Sequence, residues 1–320
     1  MAGLKQIKTK IVAMKKSQTV TKAMEAVSAA KMRKAQQTAL RGRAYARAAA
    51  SVLARISGSH ELANHPLTRG STSWNHEVEP RVKSALYIII TSDKGLAGAL
   101  NSGVLKAAVR DIAQSGLQKK DISIIAVGRK ANDYFSARGF KIEVFHPNTS
   151  AVDSALVRAI VDEAARRFTL SGVERVDQVK IVYQNFVSTF EQRPTLRSVF
   201  PLSVEDLRAV VGDILPTKGA FAESSKTRTS DVLVSSYTIE PSDAEVLNAI
   251  LPMLASVIVY HALLESGASE HSARMVAMKS ASDKAAEMQE DLTLQFNKAR
   301  QAAITREVSE ITGGMEAMAH

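Results

Sequence analysis

The stretch from Ala268 to Thr312, ASEHSARMVAMKSASDKAAEMQEDLTLQFNKARQAAITREVSEIT, runs forty-five residues without a glycine or a proline. Proline breaks a helix and glycine weakens it, so the whole segment can be one continuous helix. A 4-3 spacing runs through it as Met278, Ser282, Ala285, Gln289, Leu292, Phe296, Ala299, Ala303 and Arg306. That is the spacing of a coiled-coil seam, with Ser282, Gln289 and Arg306 as polar interruptions. Upstream, Ser242 and Glu245 form a capping box ahead of an apolar run. They predict a helix that begins there, bends at Pro252 and ends at Gly313-Gly314.

The opposite end of the chain mirrors this. No proline precedes Pro66, and Gly42 is the lone glycine between Leu4 and Gly58. Residues 3–57 therefore read as one helix, about 80 Å long at 1.5 Å per residue. Leu4, Ile7, Ile11 and Met14 start a 3-4-3 seam. It slips phase near Lys15–Gln18 and resumes as Val20, Met24 and Val27. The later seam is mostly alanine, which permits close approach. Helices this long draw their stability from packing, and a chain that returns after a central region pairs its ends most simply as an antiparallel coiled coil. The alternative is a bundle of shorter helices broken at weak points.

Between the two ends the period changes. Ser84–Thr91 (SALYIIIT), Asp121–Val127 (DISIIAV), Lys141–Phe145 and Gln178–Phe186 read as strands. Helical stretches lie near Ser102–Ala113, Arg129–Arg138 and Val152–Leu170. Strands alternating with helices predict a parallel, Rossmann-like sheet, with edge strands at Pro194–Val199 and Asp231–Ile239. The fold class is thus α/β: a long antiparallel two-helix coiled coil from the terminal helices plus a central Rossmann-like domain. The divisions are an N-terminal helix at 1–57, a linker at 58–83, an α/β domain at 84–240 with a polar insertion near 212–230, and a C-terminal helix at 241–320.

Composition narrows the functional classes. With 45% hydrophobic residues a packed core is feasible, and with no cysteine, disulfides and thiolate metal sites are excluded. The net charge of +10 is unevenly placed. Residues 1–57 hold thirteen Lys or Arg and one acid, Glu25, a balance of +12, so the remaining residues sum to −2. Such an element calls for an acidic partner. Nucleic acid fits poorly, because Tyr45 is the only aromatic among these cations and they surround the helix instead of forming one stripe. Lys5, Lys8 and Lys10 argue against a signal peptide. Val246–Leu264 has the length of a membrane span, but Asn248, Pro252, Ser256 and His261 interrupt it, and a buried helix is the expectation.

No catalytic constellation is present. The seven histidines are scattered, and neither H-E-x-x-H nor G-x-S-x-G occurs. The turn TSDKGLAGALN at Thr91–Asn101 follows the first strand and leads into a helix, a place where phosphate can bind. It matches neither phosphate-binding glycine pattern and reads as a structural turn. No cofactor or metal is expected.

Both ends resemble the gamma subunit of F-type ATP synthases. The N-terminal likeness is IKTKIVAMKKSQTVTKAMEAVSAAKMRKAQ at Ile7–Gln36. The C-terminal one is SEHSARMVAMKSASD at Ser269–Asp283 and NKARQAAITREVSEITG at Asn297–Gly313. The turn TSDKGLAGALN is similar to the family's strand-to-helix motif, which often has cysteine where Ala97 stands. The likeness covers nearly the whole chain, with departures at 58–83 and 212–230. The cysteine-bearing insertion of chloroplast relatives is absent, which looks bacterial.

The resemblance implies a non-catalytic rotor shaft inside a ring of three alpha and three beta subunits. It also implies a domain seated against an epsilon subunit and a membrane ring of c subunits, on the cytoplasmic face of a bacterial plasma membrane, with no segment inserted in the bilayer. It places Met24 in an N-terminal contact zone. Arg274, Arg300, Gln301, Thr305 and Glu307 fall on C-terminal motif positions used for rotor–stator contact. Charge adds Lys8, Lys15, Lys22, Arg33 and Lys34.

Overall fold

A computed structural model describes residues 2–56, 65–68, 82–148, 152–172, 174–202 and 242–318. The chain divides into two compact units. One spans residues 31–273; the other comprises residues 1–30 and 274–320. The expected strand at Asp231–Ile239, the insertion near 212–230 and most of the 58–83 linker lie outside the described residues.

Two helices run from one unit into the other: α1 over Ala2–Ile56 and α5 over Asp243–Met318. The first turn of α5 is capped as its sequence predicts, with Ser242 Oγ accepting from the Glu245 amide at 3.3 Å. The helix continues through Pro252 and, against expectation, through Gly313-Gly314 to Met318. Glycine in a helix interior costs about 1 kcal/mol relative to alanine. A stop also needs a left-handed residue, and neither of these glycines has positive φ.

In the unit of residues 31–273, five strands form one sheet in the order β3-β2-β1-β4-β5. They are β1 Ala85–Ile90, β2 Ile122–Val127, β3 Lys141–His146, β4 Gln178–Phe186 and β5 Gln192–Phe200. Helices α2 (Leu100–Ser115), α3 (Arg129–Ser136) and α4 (Ser154–Thr169) connect them. The first four strands are parallel. β5, the expected edge strand, is antiparallel to β4, so the sheet is mixed, with the expected parallel arrangement in β1–β4. The turn between β4 and β5, residues 187–191, is too short for a crossover.

β1 and β2 are buried along their whole length because helices cover both faces. Successive residues point to opposite faces. Leu86, Ile88 and Ile90 meet α4 and the first half of α5 through Val157, Ile160, Phe168, Leu251, Leu254 and Ile258. Ala85, Tyr87 and Ile89 meet α2 and α3 through Val104, Ala108, Ala131 and Phe135. Leu247, Leu251, Leu254, Val257, Ile258 and Val259, from the uncharged stretch Val246–Leu264, are therefore core residues. Tyr87 donates to Asp111 at 2.6 Å and Lys180 pairs with the same carboxylate at 2.8 Å, tying α2 to β1 and β4.

The carboxyl ends of β1 and β2 cross tightly. Gly128 has φ +93°, and a Cβ there would sit 2.1 Å from the Thr91 carbonyl oxygen, so only glycine fits.

Candidate functional site

In the unit formed by residues 1–30 and 274–320, the two terminal helices pair as an antiparallel coiled coil. On α1 the covered positions are Leu4, Ile7, Ile11, Met14, Gln18, Thr21, Met24, Glu25, Ser28 and Ala29. The alternation of three and four therefore passes through Gln18 without a slip, correcting the phase shift expected near Lys15–Gln18. Val20 and Val27, expected in the seam, are more than half exposed. The polar seam positions are tolerable because their hydroxyls bond back along the helix. Thr21 Oγ1 donates to the Ser17 carbonyl at 2.9 Å and Ser28 Oγ to that of Met24 at 2.7 Å.

On α5 the covered positions follow the predicted spacing: Met278, Ser282, Ala285, Gln289, Leu292, Phe296 and Ala299. Ala303 and Arg306, expected to continue it, are exposed. Gln18 of α1 lies across a groove of about 470 Å³ from Ala286, Gln289, Thr293 and Asn297 of α5. That groove fixes which parts of the two helices face each other.

Outside the seam the surface of α1 is cationic. Lys8, Lys15, Lys22, Arg33 and Lys34 are exposed, whereas Met24 is half-buried on the seam side. On α5, Arg274 is half-buried, and Arg300, Gln301, Thr305 and Glu307 are exposed on a stretch that is exposed all round from residue 300 to 315. Thr305 Oγ1 donates to the Gln301 carbonyl at 3.0 Å.

That stretch carries a feature the sequence reading missed. Ile304, Val308, Ile311 and Met315 are between 52% and 67% exposed. Their 4-3-4 spacing was the available signal. At about 100° per residue they form one stripe, with Arg300 and Glu307 along one border and Gln301 along the other. The structure thus places Arg300, Gln301 and Glu307 on one exposed stretch of α5 and spaces the cations along α1.

The turn at Thr91–Asn101 satisfies its own polar groups. Asp93 Oδ1 accepts from the Arg129 amide at 2.8 Å, at the start of α3, and Asn101 Oδ1 accepts from the Ser92 amide at 2.9 Å. Among the described residues no cluster of three or more His, Asp or Glu has metal-binding geometry.

A family model described as ATP synthase matches residues 3–318. Proteins named ATP synthase gamma chain are similar along their entire length. That of Staphylococcus saprophyticus is 36% identical, covering 99% of this chain and 100% of its own. That of Staphylococcus aureus is 35% identical with the same coverage. Among solved structures, a chain of the Euglena gracilis mitochondrial ATP synthase has a TM-score of 0.63 at 19% identity, covering 99% of this chain and 95% of that one. A chain of the Tetrahymena thermophila mitochondrial ATP synthase central stalk and c ring has a TM-score of 0.56 at 23% identity, covering 82% of this chain and 99% of that one. At such identities the two solved structures support the fold. The family rests on the full-length sequence matches, and by them the chain belongs to the ATP synthase gamma chain family.

Proposed function

We propose that the chain is the central rotor shaft of an F-type ATP synthase. It is non-catalytic itself and couples proton flow through a ring of c subunits to the catalytic sites of three alpha and three beta subunits. Its α/β domain seats against an epsilon subunit and the c ring. The complex lies at the cytoplasmic face of a bacterial plasma membrane, and this subunit is peripheral to the bilayer.

The observation that carries this reading is the surface of the terminal helices. Two helices of 55 and 76 residues bury one seam. They leave cations over the exposed surface of α1 and an uncovered apolar stripe at the end of α5. A rod with unlike sides, turning inside a ring of three equivalent sites, stabilises a different state at each site by the difference in its contacts. Torque requires a stiff rod, and the scarcity of helix breakers supplies one. Acidic loops on the ring would grip Lys8, Lys15, Lys22, Arg33 and Lys34. Met24, Arg274, Arg300, Gln301, Thr305 and Glu307 complete the proposed rotor–stator contact.

The test is purification of the tagged chain from detergent-solubilised membranes. Co-purification of ATPase activity with several further polypeptides is expected. Recovery of the chain alone, or ATP turnover by the isolated chain, overturns the proposal.

A further inference from the structure

Helix α5 is held to the sheet in two different ways along its length. From Leu247 to Leu263 the contacts are apolar, through Leu251, Leu254, Ile258 and Val259. Beyond Leu264 the buried positions become small and mostly polar: Ser266, Ala268, Ser269 and Ser272 are almost fully covered. Three of the polar side chains in this stretch reach the β4–β5 hairpin. Glu265 Oε2 accepts from the Phe186 amide at 2.9 Å, Ser269 Oγ donates to the Gln184 carbonyl at 3.2 Å, and Ser272 Oγ donates to the Thr189 carbonyl at 2.7 Å. Residues 265, 269 and 272 are spaced four and three apart, so they lie on one face. One turn earlier, His261 Nε2 lies 3.5 Å from the other oxygen of Glu265.

The two kinds of contact resist different motions. Apolar burial is non-directional. It opposes pulling α5 off the sheet but only weakly opposes turning the helix about its own axis. Hydrogen bonds fall off steeply with distance and angle. Three of them in a line along one face fix both the axial position and the rotation of the helix. All three end on backbone atoms of a single hairpin, so they act together. They lie on the last turns of α5 before the helix passes into its coiled-coil segment at Arg274.

We propose that Glu265, Ser269 and Ser272 form a torsional clamp that locks the rotation of α5 to the α/β domain, and so positions the shaft for torque transfer. The proposal rests on the rotor-shaft function given above. Without the clamp, α5 yields against the sheet under load and some power strokes slip without turning the c ring. The assembly and its catalytic sites stay intact.

The test uses the complete complex in inverted membrane vesicles carrying Glu265→Ala, Glu265→Gln or the double variant Ser269→Ala/Ser272→Ala. ATP hydrolysis, ATP-driven proton pumping and the amount of assembled chain are measured together. The clamp predicts near-normal assembly and hydrolysis, with a several-fold fall in protons pumped per ATP, for Glu265→Ala and for the double variant. Glu265→Gln keeps an acceptor for the Phe186 amide and restores pumping. The double variant removes only two hydroxyls, so it stays informative if Glu265→Ala does not fold. An unchanged ratio of pumping to hydrolysis overturns the clamp, as does a parallel loss of both in proportion to assembled chain. Failure of Glu265→Gln to restore pumping also overturns it. Absence of ATPase activity from the wild-type complex would instead overturn the rotor-shaft function, and that control separates the two failures.

Discussion

His261 lies on the buried side of α5, 7% exposed, where burial and then the Arg197 guanidinium push its imidazole down to about 4. It is neutral at pH 7, so its contact with Glu265 is not an ion pair there. In the unfolded chain the same imidazole takes up a proton near pH 6.5. Between those values the unfolded state binds more protons than the folded one, and stability therefore falls as pH drops from about 6.5 toward 4. The full loss is roughly 3 kcal/mol at 1.36 kcal/mol per unit. His146, also lowered by burial, adds to the slope in the same direction. Melting temperature followed from pH 7.5 to 4.5 should drop steeply in the wild-type chain and less in His261→Gln. Equal slopes would show that another group carries the acid sensitivity. The place of His261 in the uncharged stretch Val246–Leu264 already pointed to burial, but not to the charge that would face it. Arg197 lies on β5, a strand far away in the chain, and a long-range neighbour of that kind is invisible to local spacing.

At the scale of elements, the seam of α1 gives a direct test of register. Val20 is more than half exposed, whereas Gln18 is half-buried beside Gln289 and Thr293. Val20→Gln should change stability by less than about 0.5 kcal/mol, as for ordinary surface positions. Gln18→Leu buries added apolar surface in the seam and should raise the melting temperature of the coiled coil. The reverse pattern would restore the phase slip that the apolar residues alone imply. That slip arose because valine was weighed above glutamine, although geometry follows the period and not the most apolar side chain. The same logic explains what was legible elsewhere. β1, β2 and β4 announce themselves as short β-branched runs because both their faces are buried. The seam of α5 was readable through Ser282 and Gln289 because its spacing never broke. The direction of β5 was hidden in a five-residue turn, and the stop expected at Gly313-Gly314 treated a modest propensity cost as a barrier. The clamp of Glu265, Ser269 and Ser272 could not be read at all, since its partners are backbone atoms of a distant hairpin.

For the whole molecule, the uneven charge is the property that composition alone establishes, with +12 in residues 1–57 and −2 in the remainder. The acidic partner proposed for that charge comes from the likeness of both ends to a family, because no residue in the chain encodes a surface on another polypeptide. The two proposed contact types on the terminal helices differ in their response to salt, and this allows them to be separated. At 0.1 M ionic strength the Debye length is about 10 Å, so attraction between exposed Lys8, Lys15 and Lys22 and acidic loops is progressively screened. Each exposed pair contributes about 0.2–1 kcal/mol. The triple variant Lys8→Gln/Lys15→Gln/Lys22→Gln should therefore bind the alpha–beta ring less tightly by about threefold to a hundredfold at low salt, with the difference shrinking as salt is raised. Ile304→Ser/Val308→Ser removes apolar contact instead, and its loss of affinity should persist at high salt because burial of hydrocarbon is not screened. Both can be read as retention of the tagged chain on immobilised ring subunits across a salt series. If the lysine variant loses affinity equally at all salt concentrations, its cations act through packing of their side-chain stems, and the electrostatic grip assigned to α1 fails.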